Sequence, residues 1–379
     1  MPDPSPALWK HRSIEAATGA VSSAEWRAQG VSIDTRTLQP GDLFVALPGE
    51  ESNGHDYVEQ AFNKGASAAL ISKQPKTLAH FGPVACVRNT ETALRKLAEY
   101  RRKETQAKFI AVTGSVGKTS VKDMLRHCLT AQAPTHATVG NLNNHLGLPL
   151  SLARMPVNSS YGVFELGMNH SGEIRKLTRV VQPHVAIITA VTPVHLEFFK
   201  SVEDIARAKA EIMESLPQNG TVILPADSPY FSILQQQAKR LGIQNIWTFG
   251  ESETADFRLL NITPTATGQR LTIRTPDGNL RVMLHVIGQH HAVNSLAVLA
   301  GIKALGASVN KAIEQLESWQ PVSGRGTLHE LTLPSGASIL LINDSYNASP
   351  TSMRAAFGIL QTLKEQRPER RALAVLGDM

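Results

Sequence analysis

The sequence predicts an α/β protein built around a doubly wound parallel sheet, with a smaller α/β domain before it and the start of a third domain after it. Apolar strand patterns alternate with helical patterns through the middle of the chain, which is typical of a parallel sheet. The length of 379 residues suits two or three domains. Hydrophobic residues make up 42% of the chain, enough to form packed cores.

We place the first domain at residues 1–106, the second at 107–321 and the third at 322–379. The first contains two short strand patterns, DLFVALPG and ASAALIS, and a helical pattern from Glu91 to Arg102. A charged and polar stretch from Arg101 to Lys108 marks the first boundary.

The second domain begins with four apolar strand patterns separated by helical patterns, namely KFIAVTG, YGVFELG, VAIITAV and TVILPAD. From Phe257 to Val286 the pattern changes to FRLLNI, RLTIRT and RVMLHVI separated by turn residues, which predicts an antiparallel flap. Helical patterns follow near His291–Leu305 and Ser308–Trp319.

A new α/β pattern starts after Pro321-Val322-Ser323-Gly324, with a strand in SILLIND, a helix from Pro350 and a strand in ALAVLGDM. These elements are too few to bury both faces of a sheet. We therefore expect the chain to stop within its third domain.

The composition favours an anionic partner, because the formal charge is +6 and the pI is near 9.3. A nucleotide, a phosphorylated substrate and nucleic acid all fit. The basic residues are scattered, however, and the cluster Arg101-Arg102-Lys103 is typical of a solvated helix face, so we expect no nucleic-acid binding.

The two cysteines, Cys86 and Cys128, match no metal spacing, so we interpret them as reduced packing residues. The N-terminus has no signal-peptide pattern, and no apolar run approaches the ~18 residues of a membrane span. We expect a cytoplasmic protein.

The segment FIAVTGSVGKTSVKDMLRHCL places a glycine-rich loop between a strand and a helix. Gly114 and Gly117 let backbone N–H groups turn towards phosphate, and the helix N-terminus adds partial positive charge. In this pattern Lys118 reaches the terminal phosphates and the Thr119 hydroxyl binds magnesium. Val112 occupies the first glycine position of the general motif, yet the strand–loop–helix context still predicts nucleotide binding.

Two polar residues follow neighbouring strands. Glu165 ends YGVFEL and His195 follows VAIITAV, so both are expected at the carboxyl edge that also carries the phosphate loop. A carboxylate and an imidazole there suit a magnesium site, although His is unusual for so hard an ion. From spacing alone, a loop histidine satisfied by other partners is the stronger alternative for His195.

Lys209 lies in VEDIARAKAEIMESL in register with Ile205 and Ile212, so it points to the buried side of its helix. A buried lysine usually extends its amine towards water. A buried amine also has a lowered pKa, and its neutral form reacts with carbon dioxide.

The variant loop TGSVGKTS resembles that of the Mur ligases and their folylpolyglutamate synthase relatives, and matching segments run from about Ser13 to Met379. This resemblance implies a three-domain Mur ligase architecture with an N-terminal UDP-binding domain, a central P-loop ATPase domain and an incomplete, Rossmann-like C-terminal domain. It implies ATP and Mg²⁺ as cofactors. It assigns catalytic roles to Lys118, Lys209 and His195, and places Thr119, Glu165, His195 and a carbamoylated Lys209 at the metal ions.

Four segments carry the implied ATP site: the phosphate loop, GQHHAVNSLAVLAG, PVSGRG and NDSYNASPTSM. The residues assigned to ATP are Gly114, Ser115, Gly117, Lys118, Thr119, Ser120, Asn294, Arg325, Asp344, Tyr346 and Asn347. The family stretch G-x-H-N-x-x-N has His291 here in place of its first Asn. Taken alone, Asn294 is an ordinary helix-start residue, Arg325 is equally well explained as solvated, and NDSYNASP as a strand–helix connection.

Two further segments concern the substrate. VGNLNNHLGLPLSL resembles the stretch that approaches peptide and sugar in the members adding D-alanyl-D-alanine, and SIDTRTLQPGDLFVALPGEESNGHDY resembles the UDP-binding domain. The implied substrate-binding residues are Thr35, Arg36, Asn53, His55, Asn141, Asn143 and Asn144. Arginine suits a pyrophosphate.

The resemblance implies an ATP-dependent ligase of cell-wall synthesis, which joins D-alanyl-D-alanine to UDP-N-acetylmuramoyl-tripeptide through an acyl phosphate. We expect a monomer. Two alternatives stay open. One is the family member that adds the third amino acid, since the region that recognises that residue is mostly absent. The other is a non-catalytic binder of ATP and the UDP-linked peptide, because the third domain is incomplete.

Overall fold

The computed structural model describes residues 7–49, 52–72, 81–194, 196–265 and 267–377. Its N-terminal part pairs β4, β5, β6 and β7 in parallel and adds β2 antiparallel to β7, while β1 and β3 pair separately. The elements are β1 (Trp9–Lys10), α1 (His11–Thr18), β2 (Val21–Ser22), β3 (Arg27–Ala28), β4 (Gly30–Ser32), β5 (Asp42–Val45), α2 (Val58–Asn63), β6 (Ala68–Ile71), β7 (Val84–Cys86) and α3 (Thr90–Glu104).

The central part alternates strands and helices and then ends in two helices. Its elements are β8 (Lys108–Thr113), α4 (Lys118–Thr130), β9 (Thr135–Ala137), α5 (Gly147–Ala153), β10 (Tyr161–Glu165), α6 (Glu173–Val181), β11 (Val185–Ile188), α7 (Val202–Ala210), β12 (Thr221–Pro225), α8 (Phe231–Arg240), β13 (Asn245–Gly250), β14 (Phe257–Thr265), β15 (Gly268–Thr275), β16 (Gly278–Leu284), α9 (Gln289–Ala304) and α10 (Val309–Ser318). The strands that the sequence predicted in this part are confirmed.

The central sheet has the strand order β16-β15-β14-β13-β12-β11-β8-β10-β9 among the described residues. Successive residues of a strand face opposite sides of the sheet. Ile110 and Val112 of β8 therefore pack into a core with α4, α9 and α10, whereas Phe109 and Ala111 pack into a second core with α5, α6 and α7. Helices on both faces make the sheet doubly wound, as predicted, and leave its carboxyl edge free for a site.

The strands β14 to β16 confirm the predicted antiparallel pairing, but their attachment differs from that of a flap. They do not form a separate flap, because β14 pairs in parallel with β13 and so continues the central sheet. β15 and β16 then extend the sheet as antiparallel hairpins. Buried residues of all three strands, such as Leu259, Leu271 and Val282, belong to the core beneath α9. Because one face of these strands is buried in that core, they are part of the central sheet.

The C-terminal part consists of the antiparallel pair β17 (Thr327–Thr332) and β18 (Ser338–Asn343), followed by α11 (Pro350–Gln366). Ser349 caps α11 through a reciprocal capping box with Ser352, and Pro350 occupies the first turn. The predicted strand in ALAVLGDM is wrong for its described residues, 372–377, which pair with no strand. Without a ladder partner an apolar run has no reason to become a strand.

Candidate functional site

The phosphate loop connects β8 to α4 at the carboxyl edge of the sheet. Gly117 caps α4 with φ = +84°, a left-handed conformation that favours glycine. A Cβ atom at Gly117 would lie 2.9 Å from Oδ1 of Asn294, and one at Gly114 would overlap the hydroxyl of Thr189. A side chain at either position would therefore collide with a neighbouring residue. Asn294 of α9 lies against the loop.

The loop is held in place by residues that follow β11. The Ser115 N–H donates to the Ala190 carbonyl at 2.8 Å, and the Ser115 hydroxyl donates to the Thr192 carbonyl at 3.1 Å. The Thr189 hydroxyl donates to the Val116 carbonyl at 2.5 Å. These bonds fix the loop backbone before any ligand arrives.

Lys118 folds over its own loop. Its Nζ donates to the Gly114 carbonyl at 2.7 Å and to the Ser115 carbonyl at 3.3 Å. Burial lowers the pKa of Lys118, the charge of Glu165 counteracts this, and the charge of Arg325 lowers that pKa further. The ammonium group is thus short of negative charge, and a bound phosphate would supply it.

Glu165 lies at the centre of a buried polar network. It is 3% exposed, and its two carboxylate oxygens accept hydrogen bonds from Thr119 Oγ1 and Asn143 Nδ2, each at 2.9 Å. Its N–H donates to the Thr138 hydroxyl at 3.3 Å, and the buried Lys122 donates to the Thr138 carbonyl at 2.9 Å. The structure therefore brings together Thr119, Glu165 and Asn143, three of the residues predicted from sequence.

A hydroxyl and a carboxylate beside a phosphate loop are the oxygen donors that Mg²⁺ prefers. In the part of the chain that the structure describes, no group of three or more His, Cys, Asp or Glu side chains is arranged to hold a metal ion. Mg²⁺ commonly takes its remaining ligands from phosphates and water, so Thr119 and Glu165 fit it.

Lys209 is 2% exposed at the end of α7, which confirms the buried orientation predicted from its spacing. Burial lowers the pKa of Lys209 well below its usual value, and the charge of Lys118 adds to this effect. The two amines are therefore close enough for the charge of Lys118 to act on Lys209. His195, which the sequence also assigned here, lies outside the described residues.

The connection between α10 and β17 brings Arg325 to the phosphate loop. Its guanidinium lies 4.2 Å from the centre of the Tyr346 ring, and its charge acts on both Lys118 and Asp344. Burial raises the pKa of Asp344, and Arg325 opposes that rise. Asn347 is exposed and accepts a bond from the Ala348 N–H at 3.0 Å.

The predicted UDP site lies in the N-terminal part. The Thr35 hydroxyl donates to Gln60 at 2.9 Å, and its carbonyl accepts from Lys64 Nζ at 2.7 Å. Arg36 has a side chain that is 87% exposed and pairs with Asp34 at 2.7 Å. This pairing raises the pKa of Arg36 and lowers that of Asp34.

Asn53 and His55 form a local turn in the N-terminal part. Asn53 Oδ1 accepts from the His55 N–H at 3.1 Å and caps a short 3-10 helix, Gly54–Tyr57. His55 Nε2 accepts from the Ser72 N–H at 2.9 Å.

The three asparagines of VGNLNN have different surroundings. Asn143 contacts Glu165, as described above, and Asn141 is exposed. Asn144 Oδ1 accepts from the N–H groups of Leu146 and Gly147 at 3.2 and 2.8 Å, so it stabilises the start of α5. A substrate contact of Asn144 would have to use its Nδ2.

The chain matches known families over most of its length. Residues 27–110 match the Mur ligase family catalytic domain, and residues 112–302 match the Mur ligase middle domain. A Rickettsia prowazekii protein named UDP-N-acetylmuramoyl-tripeptide--D-alanyl-D-alanine ligase is 36% identical over 98% of this chain and 80% of that protein. The Escherichia coli protein of the same name is 37% identical over 95% of this chain and 77% of that protein.

This chain belongs to the Mur ligase family.

Solved structures agree with this assignment. MurF from Acinetobacter baumannii superimposes with a TM-score of 0.82 at 34% identity, covering 93% of this chain and 76% of that one. The MurF ligase from Thermotoga maritima in complex with ADP gives a TM-score of 0.75 at 27% identity, covering 88% and 74%. The α/β architecture expected of a Mur ligase is thereby confirmed.

Within this Mur ligase, the structure gathers one set of predicted residues around the phosphate loop: Ser115, Lys118, Thr119, Asn143, Glu165, Lys209, Asn294 and Arg325. Ser120 lies in the first turn of α4. Sequence analysis missed Thr138, Lys122, Thr189 and Thr192, which support the loop and Glu165. The spacing of Lys122 four residues after Lys118 places it on the same helix face and was the available signal.

Proposed function

We propose that this Mur ligase uses ATP to join D-alanyl-D-alanine to UDP-N-acetylmuramoyl-tripeptide. The relatives that share 36–37% of its residues over nearly the whole chain carry the name of that reaction. The observation that carries the proposal for this chain is the phosphate loop with Lys118, Thr119 and Glu165 in one connected network.

The chemistry follows from the weakness of a carboxylate as an electrophile. An oxygen of the peptide's terminal carboxylate attacks the γ-phosphorus of ATP, ADP leaves, and an acyl phosphate forms. The free amine of D-alanyl-D-alanine then attacks the acyl carbon, an amide forms, and inorganic phosphate leaves with the bridging oxygen. The amine proton passes to a base or to solvent.

The chain's own residues serve these steps by position and charge. Lys118 moves from the loop carbonyls to the phosphates and balances the charge that builds up on the transferring group. Thr119, Glu165 and a carbamoylated Lys209, with His195, would hold Mg²⁺, which when bound neutralises phosphate charge. Arg325, Asp344, Tyr346 and Asn347 approach the nucleotide from the C-terminal part, Asn294 contacts its base, and Gly114, Ser115, Gly117 and Ser120 line its phosphates.

The UDP-linked substrate binds across the N-terminal and central parts. Thr35, Arg36, Asn53 and His55 hold the UDP group within residues 1–106, and Asn141, Asn143 and Asn144 approach the peptide within residues 107–321. Residues 322–379 belong to the third domain. None of the described helices is long and apolar enough to cross a membrane. We further propose that the protein is a monomer in the cytoplasm, where ATP is available.

The test is ATP-dependent phosphate release by the purified chain, with the joined product followed by mass spectrometry. We expect release only when UDP-N-acetylmuramoyl-tripeptide and D-alanyl-D-alanine are both present. Release with a UDP-linked dipeptide and a single diamino acid would instead identify the ligase for the third residue. Nucleotide binding without release under either condition would identify a non-catalytic binder.

A further inference from the structure

His291 is a buried imidazole in the first turn of α9. It is 1% exposed, and among the described residues neither of its ring nitrogens has a hydrogen-bond partner. A neutral imidazole carries one donor and one acceptor. Buried polar atoms are nearly always paired, because an unpaired one loses its bonds to water without compensation. The position of this ring therefore lowers the stability of the arrangement around it.

Three groups enclose the His291 ring. The ring centre of His290 lies 4.0 Å away, and the ring of Trp319 stands edge-on at 5.5 Å. A Cβ atom at Gly326 would lie 3.7 Å from Nε2, so the backbone of Gly326 covers that nitrogen. Burial lowers the pKa of His291 well below its usual value, which keeps the ring neutral.

The cover over Nε2 belongs to the connecting segment, which we define as residues 320–326 between α10 and β17. Two backbone bonds hold it to the C-terminal part: the Gly326 N–H donates to the Asn343 carbonyl at 2.9 Å, and the Tyr346 N–H donates to the Gly324 carbonyl at 3.0 Å. When these two bonds open and Gly326 moves away from the ring, water can reach Nε2 and pair it. The hydrogen bond to water removes the cost of a buried, unpaired nitrogen, so this cost favours the moved position of the segment.

We propose that His291 is a conformational device, an unpaired ring beneath the connecting segment that destabilises its packed position and favours its movement away from α9. The segment carries Arg325, whose charge acts on Lys118. Its movement therefore changes the separation of Arg325 from the phosphate loop. This property belongs to the nucleotide-free chain and does not depend on the ligase reaction.

Hydrogen exchange in the nucleotide-free chain tests this proposal. His291→Phe keeps a ring of similar size against Trp319 and removes both unpaired nitrogens. We expect the amides of Gly326 and Tyr346 to exchange about tenfold more slowly in this variant, because the packed position no longer contains an unpaired group. His290→Phe is the matched control, since the neighbouring ring has no buried unpaired nitrogen in the described chain.

The amides of β8 report whether any change is global and should exchange at the same rate in all variants. Unchanged or faster exchange of the two reporter amides in His291→Phe would overturn the proposal, as would equal slowing in His290→Phe. If the larger phenyl ring unfolds the chain, His291→Leu replaces it. Slower exchange in that variant supports the device, and unchanged exchange contradicts it.

Discussion

The two candidate anion sites of this chain are built in opposite ways. The phosphate loop is formed by backbone groups that hydrogen bonds with Thr189 and Thr192 hold in place. The N-terminal site depends on Arg36, whose side chain is 87% exposed. The first site is therefore fixed by the fold, whereas a ligand must fix the second, at a cost in side-chain entropy.

The two sites also differ in how far their positive charges are balanced by carboxylates. Lys118 and Lys209 are buried close enough for one to lower the pKa of the other, and Glu165 is the carboxylate that acts on Lys118. Arg36, in contrast, pairs with Asp34 at 2.7 Å, and this pairing raises the pKa of Arg36. The phosphate loop thus holds excess positive charge that an anion relieves, while an anion at Arg36 competes with a carboxylate already there. The comparison predicts large effects of substitutions at the first site and small ones at the second.

Lys118→Ala should cause the largest loss. Removing the ammonium leaves the transferring phosphoryl group without its neighbouring positive charge, and phosphate release should fall about 100- to 1,000-fold. Steady-state phosphate release measures this, with Lys176→Ala, at an exposed lysine of α6, as the control. A loss under tenfold, or an equal loss in the control, would contradict the claim that the phosphate loop depends on the charge of Lys118.

Glu165→Gln should act through the metal. The amide keeps the shape of the side chain and can still accept from Thr119, but it lacks the charge that binds Mg²⁺. We expect ADP binding to need about 10- to 100-fold more Mg²⁺. Calorimetric ADP titrations at several Mg²⁺ concentrations measure this, and Glu173→Gln, which alters a carboxylate at the start of α6, should behave as wild type. An unchanged Mg²⁺ requirement would exclude Glu165 from the metal site.

Arg36→Ala should have a smaller and more selective effect. Because Arg36 is exposed and pairs with Asp34 at the surface, its removal should leave the unfolding temperature and ADP affinity unchanged. The KM for the UDP-linked substrate should rise about tenfold as one charge-assisted contact to phosphate is lost. Initial rates over a range of substrate concentrations measure this against Arg12→Ala, another exposed arginine. An effect as large as that of Lys118→Ala would show that both sites are equally preorganised.

Lys209→Met should change stability in a pH-dependent way. The folded-state pKa lies below the ordinary lysine value of 10.5, so the unfolded chain binds more protons between those two values and stability rises with pH across that window. Methionine removes the penalty. In bicarbonate-free buffer the variant's unfolding temperature should therefore exceed that of wild type by about 2–4 °C below the lowered pKa, and by less as the pH rises.

Thermal unfolding across this pH range, with Lys239→Met at an exposed lysine of α8 as the control, completes that test. Added bicarbonate should raise the unfolding temperature of wild type but not of Lys209→Met, because only the lysine forms a carbamate. A wild-type chain that gains neither stability nor the mass of one carbon dioxide in bicarbonate would exclude carbamoylation.

Periodicity predicted much of this structure because burial follows the repeat of each element. The apolar run in KFIAVTG located β8, and the spacing of Lys209 with Ile205 and Ile212 predicted its burial. Glu165 was expected at the carboxyl edge because parallel strands all end there. These inferences need only local sequence and the geometry of a parallel sheet.

What periodicity did not show are partners that meet only after folding. Thr192 and Ser115 contact each other across 77 positions, and nothing local to either residue indicates the other. The same limit made β14–β16 resemble a flap, because a strand pattern does not reveal which strand is its neighbour. His291 stood out in the sequence only as a departure from a family stretch. Its unpaired nitrogens depend on Trp319 and Gly326, which fold over it from elsewhere.

The central claim is that the peptide's carboxylate is activated by phosphoryl transfer at the loop containing Lys118. The most direct measurement uses UDP-N-acetylmuramoyl-tripeptide labelled with ¹⁸O in its terminal carboxylate, together with ATP and D-alanyl-D-alanine. The account predicts one labelled oxygen in each inorganic phosphate released, since the bridging oxygen of the acyl phosphate leaves with phosphorus. Unlabelled phosphate, or label in AMP, would contradict it.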